Sequence, residues 1–478
     1  MCKVGLWKVI ILLCLFRVTM IGAEAQTFTT LHSFSGTDGA YPLGVASQTT
    51  NGNLYGSTFL GGANGNGTIF EITPGGTFTK LYSFCSQSGC ADGELPYGLV
   101  QATDGNLYGG ASYGGANGYG TIFKVNLSGK LTTLHSFDST DGAYPVAPLD
   151  QVTSGNLYGT TANGGANGSD AGTVFKITPG GTLTSLYSFC SQSGCPDGTH
   201  PNAALIQAIN GDLYGTTCGA GLEFACNGSG PGTVFKITPG GTLTTVHSFC
   251  SQSDCADGEY PTAALVQATN EDLYGTTSQG GADGYGTVYK ITPSGTLTTL
   301  HSFSGTDGAY PAAGLAYATD GNFYAETYGG GANGYGTVFK ITPGGTLTSL
   351  YSFCSQSGCA DGANPELGGL TQDTNGTFYG TTSGGGANGY GTVFSLSVGL
   401  HAFIETVPTS GKVGSAVTIL GNNLKGATSV TFNGTPSTIS FDSSSEIKTT
   451  VPIGATTGKV EVTVSGHTLS SNVKFRVP

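Results

Sequence analysis

Seven aspartates share one repeated frame, D-G-x-x-P: Asp38, Asp92, Asp141, Asp197, Asp257, Asp307 and Asp361 each stand four residues before a proline. Seven carboxylates in one register could gather cations or polar ligands. Each Asp-Gly also makes a tight turn, and each proline opens a strand. A residue repeated in every unit points to structure, because a binding site is usually asymmetric. No D-x-[DN]-x-[DN]-G calcium loop accompanies them. A second frame ends in S-F and places a ring just before it: His32, His135, His247 and His301, or Tyr82, Tyr187 and Tyr351. Histidine and tyrosine exchange there, which metal binding or acid–base work would not tolerate, so packing with a hydrogen-bonding tip is expected. A glutamine falls seven residues before the tyrosine of L-Y-G in six units (Gln48, Gln101, Gln151, Gln207, Gln267, Gln372), with Tyr317 in the other. It suits satisfying backbone groups between units.

Aromatic side chains in the loops carry the best binding signal. Tyr119, Tyr285, Tyr335 and Tyr390 lie in G-Y-G, and Tyr41, Tyr144, Tyr260 and Tyr310 precede the loop proline, where His200 stands once. Tyrosines amid Asn, Asp and Gly suit sugars, which present flat apolar faces ringed by hydroxyls. Packing of loop bases is the competing reading for each one. Signals for catalysis are weak. H-E-x-x-H and the P-loop are absent from the sequence. Glu94, Glu223, Glu259 and Glu366 are isolated, whereas glycoside hydrolysis needs a carboxylate pair.

Twelve cysteines occur, and ten follow the leader in five local pairs: Cys85/Cys90, Cys190/Cys195, Cys250/Cys255, Cys354/Cys359 and Cys218/Cys226. Four pairs read C-S-Q-S-[GD]-C. The same loop without cysteines is four residues shorter, so the pair travels with the longer loop. Disulfides are expected. A metal would need further ligands, and no histidine or cysteine cluster recurs beside the pairs. Neither a metal nor a cofactor is expected.

The elements behind these residues come from a unit of about 54 residues that occurs seven times, marked by Tyr55, Tyr108, Tyr158, Tyr214, Tyr274, Tyr324 and Tyr379. Each unit reads as four strands: a small, apolar strand a, then L-Y-G-T-T as strand b, G-T-V-F-K-I-T as strand c and L-T-T-L-H-S-F as strand d. A period of this length built from short strands marks a β-propeller, one blade per unit. The seventh unit lacks a d strand, and a lone d-like segment, Thr27 to Phe34, stands before any a, b or c strand. That segment is expected to close the ring by completing the last blade. The a–b and c–d turns share one face and are tight. The b–c and d–a loops share the other face and carry the length variation, the cysteines and the tyrosines, so that loop face is the candidate site.

Lys3 and Lys8 flank a short apolar run, and Ala23-Glu24-Ala25 precedes Gln26, so residues 1–25 read as a secretory signal. The remaining chain carries a formal charge near −15 and no tryptophan. That balance argues against nucleic acid and anionic membranes. No later segment is apolar enough for a transmembrane helix. From about His401 the pattern changes to short alternating strands, implying a β-sandwich. The expected division is 26–399 for the propeller and 400–478 for the sandwich.

Two resemblances follow from these motifs. The run from Pro408 and Gly411 through V-T-I-x-G ending at Gly421, V-T-F-N-G ending at Gly434 and V-P-x-G-A ending at Ala455 closely resembles the IPT/TIG immunoglobulin-like domain. Extracellular copies act as spacers or interaction modules. N-L-Y-G-T-T, G-A-N-G-Y-G-T-V-F-K-I-T-P-G-G and the H/Y-S-F strand resemble the GloVer tandem repeat of the choice-of-anchor surface proteins, over about Thr27 to Val398. That family brings no established activity. The fold expected is all-β: a seven-bladed propeller closed by its N-terminal strand, then an immunoglobulin-like sandwich. The role expected is non-catalytic binding outside the cell by a secreted monomer, of glycans through the loop face. The alternatives are a protein–protein scaffold or adhesin, and a polysaccharide hydrolase or lyase. Association with a bacterial cell surface is the alternative to release.

Overall fold

The structure, a computed structural model, describes residues 26–152, 154–169, 171–218, 230–366 and 368–478. The leader, Glu223 and Cys226 lie outside the described residues. Within them the chain forms nine four-stranded antiparallel sheets and no α-helix. Among the described residues no helix is long and apolar enough to cross a membrane.

Each of the first six repeats forms a four-stranded meander. In the fifth, Val266–Gln267, Leu273–Thr277, Thr287–Ile291 and Leu297–Ser302 pair in sequence order. The seventh sheet takes its outer strand from the other end of the chain: Thr27–Ser33 pairs with Thr392–Ser397. The register repeats in detail. A one-residue bulge separates the Val288↔His301 and Tyr289↔Thr299 pairs. The N-terminal strand bulges likewise between Thr30 and His32 against Val393 and Phe394. It therefore fills a d-strand position as the other six d strands do.

Strand c explains why the sheets stack. In T-V-Y-K-I, Val288, Tyr289 and Ile291 are all fully buried, so side chains on both faces need a neighbouring sheet. Each buried aromatic or aliphatic side chain contributes roughly 1.5–3 kcal/mol. The apolar clusters sit between consecutive sheets. Tyr55 and Ile69 of the first pack with Leu107 and Phe123 of the second, and four further clusters carry the pattern through sheets two to six. Tyr324 and Val338 of the sixth pack with Phe378 and Phe394 of the seventh. The seventh returns to the first, Tyr379 and Val393 packing with Leu54, Phe70 and Phe34.

Strand a differs from expectation. In the fifth repeat Thr262 to Thr269 reads as one strand, but the ladder pairing covers only Val266–Gln267, whereas strand a of the first two repeats runs over Ala40–Gln48 and Glu94–Gln101. The carbonyls before that point serve the neighbouring sheet instead. Thr216 Oγ1 donates to Ala263 O at 3.3 Å, and Thr276 Oγ1 donates to Ala313 O at 3.2 Å. These small residues line a cavity of about 230 Å³ whose walls come from all seven repeat sheets, among them Leu43, Tyr97, Val146, Ala203, Ala263, Leu315 and Leu370.

The inner glutamines link neighbouring sheets. Gln101 Oε1 accepts the Thr50 N–H at 3.0 Å while its amide donates to Gly105 O at 3.0 Å. Gln151, Gln267 and Gln372 accept in the same way from Thr103, Ile209 and Thr319. Thr374 Oγ1 donates to Gln48 Oε1, joining the seventh sheet to the first. These bonds of Gln101, Gln151, Gln267 and Gln372 go to backbone groups, whereas that of Gln48 is between side chains.

After the repeats, two sheets share one core. Ile404, Val417, Ile419 and Ile447 of one pack against Val430, Phe432, Val460 and Val462 of the other. This unit sits on the tight a–b turns. Ser445 Oγ donates to Thr50 O at 2.7 Å, Asn422 Nδ2 to Thr374 Oγ1 at 2.8 Å, and Lys474 lies 3.8 Å from Glu271.

Candidate functional site

The D-G aspartates and the H/Y rings turn out to be partners. Asp38, Asp141 and Asp307 meet His32, His135 and His301 at 3.0, 2.7 and 2.8 Å. Asp92, Asp197 and Asp361 accept the hydroxyls of Tyr82, Tyr187 and Tyr351 at 2.7, 2.7 and 2.8 Å. His247 meets Asp257 at 3.2 Å. Either ring presents a polar tip at the same place, which accounts for their exchange. Burial would raise the pKa of Asp361, but hydrogen bonds from Tyr351, Ser355 and the Gln356 N–H hold it below its ordinary value. Burial lowers that of His32 even though Asp38 works against it. The carboxylates brace the d–a loops.

Four cysteine pairs are disulfides: Cys85–Cys90, Cys190–Cys195, Cys250–Cys255 and Cys354–Cys359. Two stand beside a glutamate, Glu94 and Glu259. Bonded sulfurs are not thiolates and cannot join those carboxylates in holding a metal. The fifth pairing falls on Cys226, outside the described residues.

The loop tyrosines meet across the seams between sheets. The tyrosine before the proline donates its backbone N–H to the G-Y-G tyrosine of the preceding sheet: Tyr41 to Tyr390 at 3.1 Å, Tyr144 to Tyr119 at 2.9 Å and Tyr310 to Tyr285 at 2.9 Å. The rings follow, with Tyr285 and Tyr310 centred 5.7 Å apart and Tyr119 and Tyr144 6.3 Å apart. Tyr335 is matched by Asn364, and Tyr260 by Pro231. Tyr41, Tyr119, Tyr310, Tyr335 and Tyr390 are 36–45% exposed, whereas Tyr144, Tyr260 and Tyr285 are half-buried. Of the eight tyrosines, six form three paired seams, and two stand with non-aromatic partners.

The position before the proline carries an unusual backbone. Its φ is +54° at Tyr41, +58° at Tyr144, +57° at Tyr260 and +57° at Tyr310, and also +58° at Leu95 and +55° at Asn364. Left-handed backbone costs a bulky residue about 1–2 kcal/mol, and asparagine tolerates it more easily. The conformation belongs to the repeat, so the backbone does not call for tyrosine.

Two tyrosines escaped the sequence reading. Tyr328, 40% exposed, follows strand b of the sixth sheet, and Tyr113 packs 4.8 Å from Tyr144. Their only signal was a position just past L-Y-G-T-T that is seldom aromatic. Tyr328 lies near Glu366, whose carboxyl burial pushes up while a Ser383 hydrogen bond lowers it. Glu326 was also missed. It occupies the place where Thr160, Thr216 and Thr276 reach a neighbouring carbonyl. It is 1% exposed, among the described residues neither carboxyl oxygen has a hydrogen-bond partner, and burial holds its pKa well above the ordinary value.

No curated protein matches the chain. Among solved structures, the extracellular domain of a putative hybrid two-component system from B. thetaiotaomicron superposes with a TM-score of 0.53 at 12% identity. The match covers 84% of this chain but 45% of that one, so the chain spans less than half of its length. It shows likeness of fold alone. A gluconolactonase from Xanthomonas campestris matches at 12% identity over 78% of this chain and 90% of its own, with a TM-score of 0.41. That score supports no argument. The IPT/TIG domain is matched over residues 404–477. The Gloeobacter/Verrucomicrobia repeat is matched over residues 14–228 and 225–439, and the chain belongs to that family.

Proposed function

We propose that the chain is a secreted seven-bladed β-propeller followed by an immunoglobulin-like sandwich, and that it binds glycans without catalysis through its loop face. The cyclic run of apolar clusters, the cavity walled by all seven repeat sheets and the pairing of Thr27–Ser33 with the last repeat support the closed ring. Four disulfides and a structural neighbour that is an extracellular domain are consistent with an external location.

One observation carries the glycan reading. Tyrosine occupies four left-handed positions, exposed at Tyr41 and Tyr310 and half-buried at Tyr144 and Tyr260, where Asn364 shows that a less costly residue serves the fold. Three seams pair such a tyrosine with a second one, giving flat faces rimmed by amides and hydroxyls, the chemistry a sugar ring meets. The sixth sheet adds Tyr328 and Tyr335 beside Asn364 and Glu366. The test is retention of Gln26–Pro478 on a panel of insoluble polysaccharides, with release by soluble oligomers. Retention on none of them counts against the reading.

The scaffold reading is favoured by a different feature. Val413, Phe441 and Ile453 of the C-terminal unit are exposed, Ile453 by 90%, and a protein partner would take these apolar side chains out of water.

A further inference from the structure

The face opposite the loops, under the C-terminal unit, encloses a cavity of about 270 Å³. Sheets three to five form one wall, and Thr409, Ser410, Val473, Lys474 and Arg476 form the other. Three departures from the repeat fall on this cavity. Asp150 stands where the other repeats have Ser47, Val100, Ile206, Val266, Ala316 and Thr371. Ile209 replaces a threonine present in all six others. Glu271 takes a left-handed position, φ +72°, where six repeats use glycine. A site is asymmetric where a scaffold is regular, and three departures on this face line one cavity.

The chemistry of the walls is specific. The Asp150 carboxylate accepts the Gln207 N–H at 3.0 Å, and among the described residues no cationic side chain pairs with it. Burial pushes its pKa up to about 6, partly offset by that hydrogen bond. The opposite wall brings two cations. Lys474 is shared with Glu271 at 3.8 Å. The Arg476 guanidinium packs against Gly211, where a Cβ would come within 2.5 Å of its nitrogen. Ile206, Leu265 and Val266 supply apolar lining to the same cavity. Sites for drug-sized ligands begin at roughly 300 Å³, so the occupant is smaller.

We propose that this cavity binds a small zwitterion of the α-amino-acid type, its ammonium on Asp150, its carboxylate toward Arg476 and Lys474, and its side chain against Ile206, Leu265 and Val266. The site lies between the repeats and the C-terminal unit, so the occupant would hold the two together. The inference is independent of the glycan reading, which concerns the other face.

The experiment is calorimetric titration of Gln26–Pro478 with L-leucine, L-valine and L-methionine, with thermal unfolding alongside. At least one should give saturable heat and raise the unfolding temperature. Leucine amide, without the carboxylate, and N-acetylleucine, without the ammonium, should each bind at least tenfold more weakly. Asp150→Asn keeps an acceptor for the Gln207 N–H and should also lose at least tenfold, with polysaccharide retention unchanged. Absence of heat with all three amino acids overturns the proposal. So does N-acetylleucine binding as tightly as leucine, a result that needs no variant to fold.

Discussion

His301 holds the Asp307 carboxylate through Nε2 at 2.8 Å, and one repeat later Tyr351 holds Asp361 through its hydroxyl at the same distance. The ring is six residues before its aspartate in the short loop and ten before it in the long one. The disulfide-bearing insert therefore lengthens the loop without disturbing the brace.

Asp361 is fully buried and accepts four hydrogen bonds, from Tyr351 Oη, Ser355 Oγ and the N–H groups of Ser355 and Gln356. Asp361→Asn should cost about 2 kcal/mol at pH 7, the scale of hydrogen bonds to a charged group. The folded-state pKa is depressed, so this stability is present above the ordinary carboxylate pKa and disappears as pH falls through the folded value. Urea unfolding at pH 7 and pH 3 checks both points. Equal losses at the two pH values would contradict the role given to the charge.

Glu326 runs the other way. Burial raises the pKa of its carboxyl well above the ordinary value, so the folded state is penalised as pH rises above the ordinary carboxylate range. Glu326→Thr restores the residue of the neighbouring repeats. It should stabilise the protein by roughly 1–3 kcal/mol at pH 8, the desolvation cost of an unpaired buried polar group, and by less at pH 4. Melting curves at the two pH values read the difference.

Phe34 is fully buried and packs at 5.4 Å on Phe70, and Phe28 stacks on Tyr351 at 3.9 Å. If the N-terminal segment closes the ring, Phe34→Ala should cost about 3–5 kcal/mol, as large-to-small changes in a core do. It should match Phe84→Ala or Phe353→Ala in their own d strands. A loss below 1 kcal/mol would mean the strand is dispensable.

Tyr310 separates stability from binding. Glycine is at ease at φ +57°, so Tyr310→Gly should leave stability unchanged or raise it by about 1 kcal/mol. The same change should weaken retention on the bound polysaccharide. Lost stability with intact retention would reassign Tyr310 to packing.

Mature protein should show no free thiol at Cys85, Cys90, Cys190, Cys195, Cys250, Cys255, Cys354 and Cys359 before reduction. Each short loop contributes about 2 kcal/mol in the chain-entropy account. Mass mapping of alkylated peptides, with and without reductant, checks the pairing, and melting after reduction checks the energy.

Much of this was legible because the chain states it seven times. The tyrosine of L-Y-G, the missing last d strand and the spare first one can be counted in the sequence, and the Thr27↔Ser397 pairing follows the count. What escaped depends on register and docking. The Asp–His/Tyr brace crosses a d–a loop whose length varies, so no fixed spacing announces it. Strand a looked long because its composition is uniform, yet the carbonyls of Ala263 and Ala313 go to hydroxyls of a neighbouring sheet. Tyr328 and Glu326 are single departures from a repeat, and one sequence alone does not say which departures matter. The docking of Ser445 and Lys474 on the a–b turns joins segments hundreds of residues apart, with no pattern between them.

The pairing of Thr27–Ser33 with Thr392–Ser397 also sets an order of events. Thr27–Ser33 must wait, unpartnered, until Thr392–Ser397 has been synthesised. Such long-range closure is slow, and an exposed strand invites a wrong partner while it waits. The last repeat of another copy offers the same edge. Crowded refolding should therefore yield chains clasped end to end, and dilution should favour the chain that clasps itself.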